Sequence, residues 1–270
     1  MESIYQAIVN LENTSNSGAL CTVVKTSGST PRHSTSKMLV YPDGSIMGTV
    51  GGGELENRVI QEAIASIDNK IPKLLEYSMV DPEHGDAGNC GGQVMVFIDP
   101  ITPAPLIVVI GAGHVGKAVV HLSKWLGFRV AVSDDRPGFC TPESVPEADL
   151  YFPCEMKYLS DNLTITDQTY LILTTRGAST DIEGLPSLME SDSSYIGIIG
   201  SKRRWGETVK QLVAQGISKK DLSTIFSPIG LSINAESPEE IAMSILSEVI
   251  MVTRNGTKES KKGILPLQQK

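Results

Sequence analysis

The stretch VVIGAGHVGKAVV, residues 108–120, constrains what this chain can fold into more than any other. It sets Gly111, Gly113 and Gly116 in G-x-G-x-x-G spacing. An all-apolar run, LIVVI, precedes the glycines, and residues 114–126 carry apolar positions at helical spacing. Alone, the glycine spacing is a weak signal. Placed between a strand and a helix, and followed by a second strand that ends in Asp134 and Asp135, it has the setting a dinucleotide fingerprint requires. There the first glycine permits a tight turn, the second lets a pyrophosphate approach the backbone, and the third lets helix and strand pack closely. The open amides at the helix start then favour an anion. His114 at that start is either a phosphate contact or a polar helix opener. Asp134 suits a ribose hydroxyl, and Arg136 beside it suits a 2′-phosphate or another anion.

The rest of this half repeats the alternation. Apolar runs at 169–175 and 195–201 read as buried strands, and 203–216 and 237–252 as helices. Ser237-Pro238-Glu239-Glu240 supplies an N-cap, a proline at the first helical position and acids favoured by the helix dipole. Alternating strands and helices predict an α/β, Rossmann-like parallel sheet. TTRG, residues 174–177, falls where such sheets place ligand loops. Arg176 there can pair with an anion through two nitrogens, or be a plain surface arginine. Lys202, Arg203 and Arg204 are either a further anion site or a solvated helix start.

The first hundred residues have another pattern. A short helix at 2–12, a strand near 19–28, a hairpin around PDG, a helix after Gly51, Gly52 and Gly53, and strands at 73–79 and 93–99 make an α+β unit. DPITPAP, 99–105, reads as a stiff linker because proline restricts itself and its predecessor. The expected domains are therefore 1–100 and 105–254, with a loose tail at 255–270. Consecutive glycine amides at a helix start suit an anion, and Arg32 and Lys37 add positive charge nearby in sequence. Glu54 is either part of that site or a partner for the helix dipole. Cys90, within GNCGG, is either a small buried hydrophobe or a thiol held open for a ligand. Asp81, His84 and Asp86 in the same segment match no metal-ligand template.

With 270 residues and a formal charge of −8, the chain is poorly suited to nucleic acid or an anionic membrane surface. No apolar run approaches the roughly 18 residues of a membrane span, and the first residues lack a basic, then apolar, secretory pattern. Four scattered cysteines give no disulfide framework. The expectation is a cytoplasmic protein.

Taken together, GSTPR…KMLVYPDGSIMGTVGGGELE, CGGQVMVFID, VIGAGHVG, SDDRPGF, TTRG, YIGIIGSKRR and SPIGL…SPEEIAMSI resemble, in order, the xanthine dehydrogenase accessory proteins of the XdhC/CoxI type. The resemblance runs from about residue 18 to 250. It implies an N-terminal XdhC/CoxI domain and a Rossmann-like XdhC C-terminal domain. The implied role is maturation rather than catalysis: binding molybdenum cofactor (molybdopterin), assisting its sulfuration, and inserting it into a molybdenum hydroxylase of the xanthine dehydrogenase type. A cysteine desulfurase and the apo-hydroxylase are the implied partners, and a homodimer the expected assembly. Cys90 takes the position of the family's CGG thiol, meeting the cofactor's molybdenum. Gly51, Gly52, Gly53 and Glu54 fall in its GGG-x-x-E region, where the acid comes directly after the glycines as well as at Glu56. The chain departs from the family pattern at Thr35 and Ser36, at Ala178 and at Phe226, the last two where histidines are usual. Two other readings stay open: an NAD(P)-dependent oxidoreductase, for which no catalytic Tyr-x-x-x-Lys or His–Asp pair stands out, and a nucleotide-binding sensor that docks on another protein.

Overall fold

The computed structural model describes residues 3–14, 16–27, 35–78, 92–254 and 256–257. It divides into two compact units, Met1–Ala104 and Pro105–Lys270.

In the first unit, strands β1 (Gly18–Ser27), β2 (Lys37–Val40), β3 (Ile46–Gly48), β4 (Lys73–Ser78) and β5 (Gln93–Ile101) form one sheet in the order β3-β2-β1-β5-β4. Every pairing is antiparallel. Because side chains alternate across a strand, Ala19, Cys21 and Val23 of β1 and Val94, Val96 and Ile98 of β5 share one face. They pack there with helix α2 (Gly53–Asn69) through Leu55, Val59 and Ala63. Leu39 points the other way, where Ala7 and Leu11 of helix α1 (Ile4–Thr14) cover it. The PDG turn closes as read: Gly44 adopts φ +80°, and Asp43 accepts from the Ser45 amide at 2.9 Å. The expected linker is shorter than 99–105. Asp99, Pro100 and Ile101 stay in β5, paired with Leu20, Ala19 and Gly18. Pro100 is tolerated because β4 has already ended at the Lys73–Ile98 pair. Beyond it β5 has a single neighbour, and the missing N–H breaks no ladder on that side.

In the second unit, β6 (Leu106–Ile110), β7 (Arg129–Ser133), β8 (Leu150–Phe152), β9 (Thr169–Leu173) and β10 (Tyr195–Ile198) are all parallel, in the order β10-β9-β6-β7-β8. This is a doubly wound sheet whose strand order reverses between β6 and β9. Helices α3 (His114–Trp125) and α8 (Pro238–Thr253) cover one face, with Ile107 and Val109 beneath them. Leu106, Val108 and Ile110 face the other side. There α5 (Ala178–Met189) and α6 (Lys202–Ala214) pack, with the short helices α4 (Leu159–Asn162) and α7 (Lys219–Leu222) at the margin. A strand buried on both faces must be apolar at every position, which is why LIVVI does not alternate. Each such side chain contributes roughly 1.5–3 kcal/mol by burial. α8 opens with a capping box: Glu240 N–H donates to Ser237 Oγ at 3.2 Å, and the Glu240 carboxylate accepts from Ser237 N–H.

FSPIGL extends this sheet. Phe226 N–H donates to Ile196 O and Ile198 N–H to Phe226 O, both at 2.9 Å. Five elements had no counterpart in the sequence reading: β8, the 3-10 turn Met156–Tyr158 after it, α4, α5 and α7. No helix among the described residues is long and apolar enough to cross a membrane. The expected loose tail lies outside the described residues, apart from Gly256 and Thr257.

Candidate functional site

The turn between β6 and α3 gives its three glycines three steric jobs. Gly111 has φ +110°, and a Cβ on it would lie 2.6 Å from Thr174 O. A Cβ on Gly116 would sit 1.9 Å from Gly111 O. On Gly113 a Cβ would meet nothing within 4 Å. Gly111 and Gly116 therefore answer to internal packing, and Gly113 to open space. Helix α3 begins after Gly113 without a side-chain cap. Its first-turn amides are left to an external acceptor.

These amides lie at the carboxyl ends of the strands, beside a cleft lined by Gly111, Asp134, Arg136, Cys154, Lys157 and Arg176. Open α/β sheets bind ligands at this end of the strands. Arg176 Nη2 donates to Asp135 Oδ2 at 2.9 Å, and Lys157 pairs with Glu155 at 2.7 Å. The Arg176–Asp135 pair is largely exposed. Such a pair is worth at most about 1 kcal/mol, so an incoming anion can exchange with Asp135.

Asp134 is differently placed from the expected ribose contact. Its carboxylate, 2 % exposed, accepts from Ala112 N–H at 2.7 Å and from Arg136 N–H at 3.0 Å. It also takes both prongs of the Arg136 guanidinium, Nε at 2.9 Å and Nη2 at 2.6 Å. Burial alone would raise this carboxyl; the bonds from Arg136 and Ala112 outweigh it and hold it below the ordinary carboxylate range. Arg136 in turn lies 3.7 Å over the Phe139 ring. Asp134 thus pins the glycine turn, and Arg136 is committed to Asp134.

The His114 side chain is exposed and faces a groove with Lys117, His121, Pro238 and Met243. Residues 114, 117 and 121 share one face of a helix, and that face is not the one on the cleft. The His114 amide belongs to the open first turn of α3. Arg204, one of the basic trio, is tied down too. It donates to Asp181 Oδ2 at 2.6 Å and to Thr175 Oγ1 at 2.8 Å, bracing α6 against α5 and the β9 loop. Ala178 starts α5, and Phe226 stacks on Tyr195 with ring centroids 4.6 Å apart.

In the first unit the glycine run is required by backbone shape. Gly51, Gly52 and Gly53 take φ values of +142°, +76° and +66°. The amides so gathered already hold an acid of the chain itself. Glu56 Oε2 accepts from Val50 N–H at 3.2 Å, from Gly52 N–H at 3.3 Å and from the Thr49 hydroxyl. Gly51 N–H donates to Thr49 Oγ1 at 3.1 Å. The acid at this turn is therefore Glu56, while Glu54 is exposed. Two residues apart on a helix means about 200° of rotation, so only one of them can curl back over the turn.

The strand register sets Ser27, Gln93 and Ser78 in one row at one end of this sheet, while Lys37 lies opposite Thr22 and Gly48 opposite Met38. Lys37 Nζ donates to Thr35 O at 3.4 Å. Arg32 and Cys90 lie outside the described residues. Among the described residues, no group of three or more His, Cys, Asp or Glu side chains is placed to hold a metal ion.

The XdhC Rossmann domain model matches residues 107–249, just over half of the chain, and the XdhC and CoxI family model matches residues 12–78. The chain belongs to the XdhC and CoxI family. The family's two parts fall in the order expected, the α+β unit first and the Rossmann unit second. Among curated relatives, the uncharacterized protein YqeB of Escherichia coli K12 is 33 % identical over 255 residues, 94 % of this chain and 47 % of its own length. A protein of Bacillus subtilis 168 named as a probable xanthine dehydrogenase subunit is 31 % identical over 159 residues, 59 % of this chain and 46 % of its own. The chain spans about half the length of these two relatives. The molybdenum cofactor insertion chaperone PaoD of E. coli K12 is 24 % identical, over 89 % of this chain and 85 % of its own. A crystal structure described as a xanthine dehydrogenase from Bacillus halodurans shares the fold. Its TM-score is 0.50 at 22 % identity, covering 96 % of this chain and 98 % of that one.

The sequence reading passed over Ser133, Cys154 and Lys157 in the cleft. The last two follow β8, a strand of three residues with too little pattern to be read as one.

Proposed function

We propose that this family member is an accessory factor that binds molybdenum cofactor, assists its sulfuration, and delivers it to a molybdenum hydroxylase of the xanthine dehydrogenase type. The names of its relatives support the class of role: one is called a cofactor insertion chaperone and another a probable component of xanthine dehydrogenase. The observation that carries the reading is the uncapped start of α3, with open space at Gly113, beside a cleft that holds a thiol and three cations, each paired with a carboxylate.

That donor set fits the cofactor. The first-turn amides of α3, with Arg176 released from Asp135, suit a terminal phosphate. The Cys154 thiol suits a soft metal. The cofactor, when bound, supplies a molybdenum centre able to accept a sulfur ligand. The chain's own part is to hold the phosphate, orient the metal end and keep it from water until transfer. Cys90 belongs to the same reading as the thiol of the first unit. A cysteine desulfurase and the apo-hydroxylase are the partners it calls for. A nicotinamide dinucleotide is the poorer fit, because Asp134 is wholly taken up by Ala112 and Arg136.

The test is anaerobic purification from a host that makes the cofactor, followed by molybdenum and pterin analysis. Near-stoichiometric metal and pterin are expected. Folded protein carrying neither, and taking up neither from released cofactor, would overturn the proposal.

A further inference from the structure

Three features of the second unit converge on one group that the functional reading has not used. The first is access. Cys21 and Cys140 are buried, whereas Cys154 is partly exposed and lines the same cleft as Gly111. The second is an orphaned hydroxyl. Ser133 ends β7 and is fully buried, and its Oγ has no partner of ordinary hydrogen-bond geometry among the described residues. It also lines the cleft, as Cys154 does. A buried hydroxyl left without a good partner costs about 1–3 kcal/mol, a cost that a ligand contact in the cleft would recover. The third is spacing. The glycine turn follows β6, and Cys154 follows β8, two strand positions away in the sheet. Neighbouring strands lie about 4.8 Å apart, so the two ends of the cleft are separated by roughly 10 Å. That is too far for a phosphate ion to touch both and suits a phosphorylated ring system. Met156, two residues on, is buried against Gly184 of α5, which leaves Cys154 as the accessible sulfur of the cleft.

We infer that Cys154, backed by Ser133, is a ligand-facing thiol of the Rossmann cleft, meeting the soft-metal end of a ligand whose phosphate rests on the first turn of α3. The inference rests on the accessory reading above but adds a contact within the second unit, independent of Cys90. Burial raises the Cys154 thiol above its ordinary range. The group therefore stays mostly protonated at neutral pH, as suits a holding contact better than a free nucleophile.

The experiment uses the full chain and two probes: molybdenum cofactor released anaerobically from a molybdenum hydroxylase, and metal-free molybdopterin. Wild type, Cys154→Ser and Cys154→Ala are compared for retention after gel filtration. Wild type is expected to retain both probes. The variants should retain the metal-free pterin equally and the molybdenum form at least tenfold less. In parallel, iodoacetamide labelling of wild type at alkaline pH, where the thiolate forms, followed by peptide mass spectrometry should modify Cys154 in the ligand-free chain, and the cofactor should suppress that labelling. This arm needs no variant to fold. Unchanged retention of the molybdenum form by folded variants, or labelling of Cys154 unaffected by cofactor, would overturn the inference while leaving the accessory role standing. Wild type that retains neither probe would bring down both.

Discussion

The carboxylate of Asp134 accepts the Ala112 amide at 2.7 Å across 22 residues of chain. The end of β7 is thereby fastened to the glycine turn that follows β6. The same carboxylate anchors Arg136, so one buried side chain sets both the backbone and the charge beside the cleft.

Asp134→Asn is expected to cost about 2 kcal/mol at neutral pH, in line with roughly 1.5–3 kcal/mol for hydrogen bonds to a charged group. The unfolded carboxyl titrates near about pH 3.9, and the folded one below that. As pH falls, the unfolded chain therefore takes up the proton first. The advantage of wild type over Asp134→Asn should be full above about pH 4, shrink as pH drops further, and vanish beneath the folded pKa. Urea unfolding of both proteins across this range checks it; a gap that stays constant to pH 2 contradicts the assignment.

The glycines of the turn should separate into two kinds. Gly116→Ala drives a methyl into Gly111 O, and Gly111→Ala adds a clash with Thr174 to an unfavourable positive φ. Each is expected to lose about 3 kcal/mol or more, at or beyond the usual overpacking range. Gly113→Ala meets no neighbour and should stay within about 0.5 kcal/mol of wild type, while weakening cofactor retention at least tenfold. Thermal melts and retention assays on the three proteins decide it. A Gly113→Ala chain that binds normally would remove the turn from the ligand site.

In the first unit, Glu56→Ala opens the nest at Val50 and Gly52 and should cost about 2 kcal/mol. Glu54→Ala, on an exposed side chain, should change stability by no more than about 0.5 kcal/mol. Equal effects in denaturant titrations would mean that the glycine run is not organised around Glu56.

Much of the fold was readable because it rests on local rules. LIVVI could only be a strand covered on both sides, and Ser237-Pro238-Glu239-Glu240 could only open a helix. α5 escaped notice because its pattern is broken from within. It carries Pro186, it buries Asp181, and Gly184 sits where a Cβ would press 2.6 Å against Met156. Pro100 misled in the opposite direction: a proline that breaks most strands is harmless once its strand has lost a neighbour on that side.

The sequence alone determined where the chain bends and which segments are covered. Glycine φ, proline geometry and hydrophobic period act over a few residues, and the family motifs ride on those segments. Only the tertiary structure decided which polar groups are spent inside the molecule and which are left for a ligand. Asp134 was consumed by Ala112 and Arg136, Glu56 rather than Glu54 filled the glycine nest, and His114 turned away from the cleft. Ser133 and Cys154 met because β7 and β8 lie side by side. Hydrogen-bond satisfaction is a property of neighbours in space, and no local pattern in the chain encodes it.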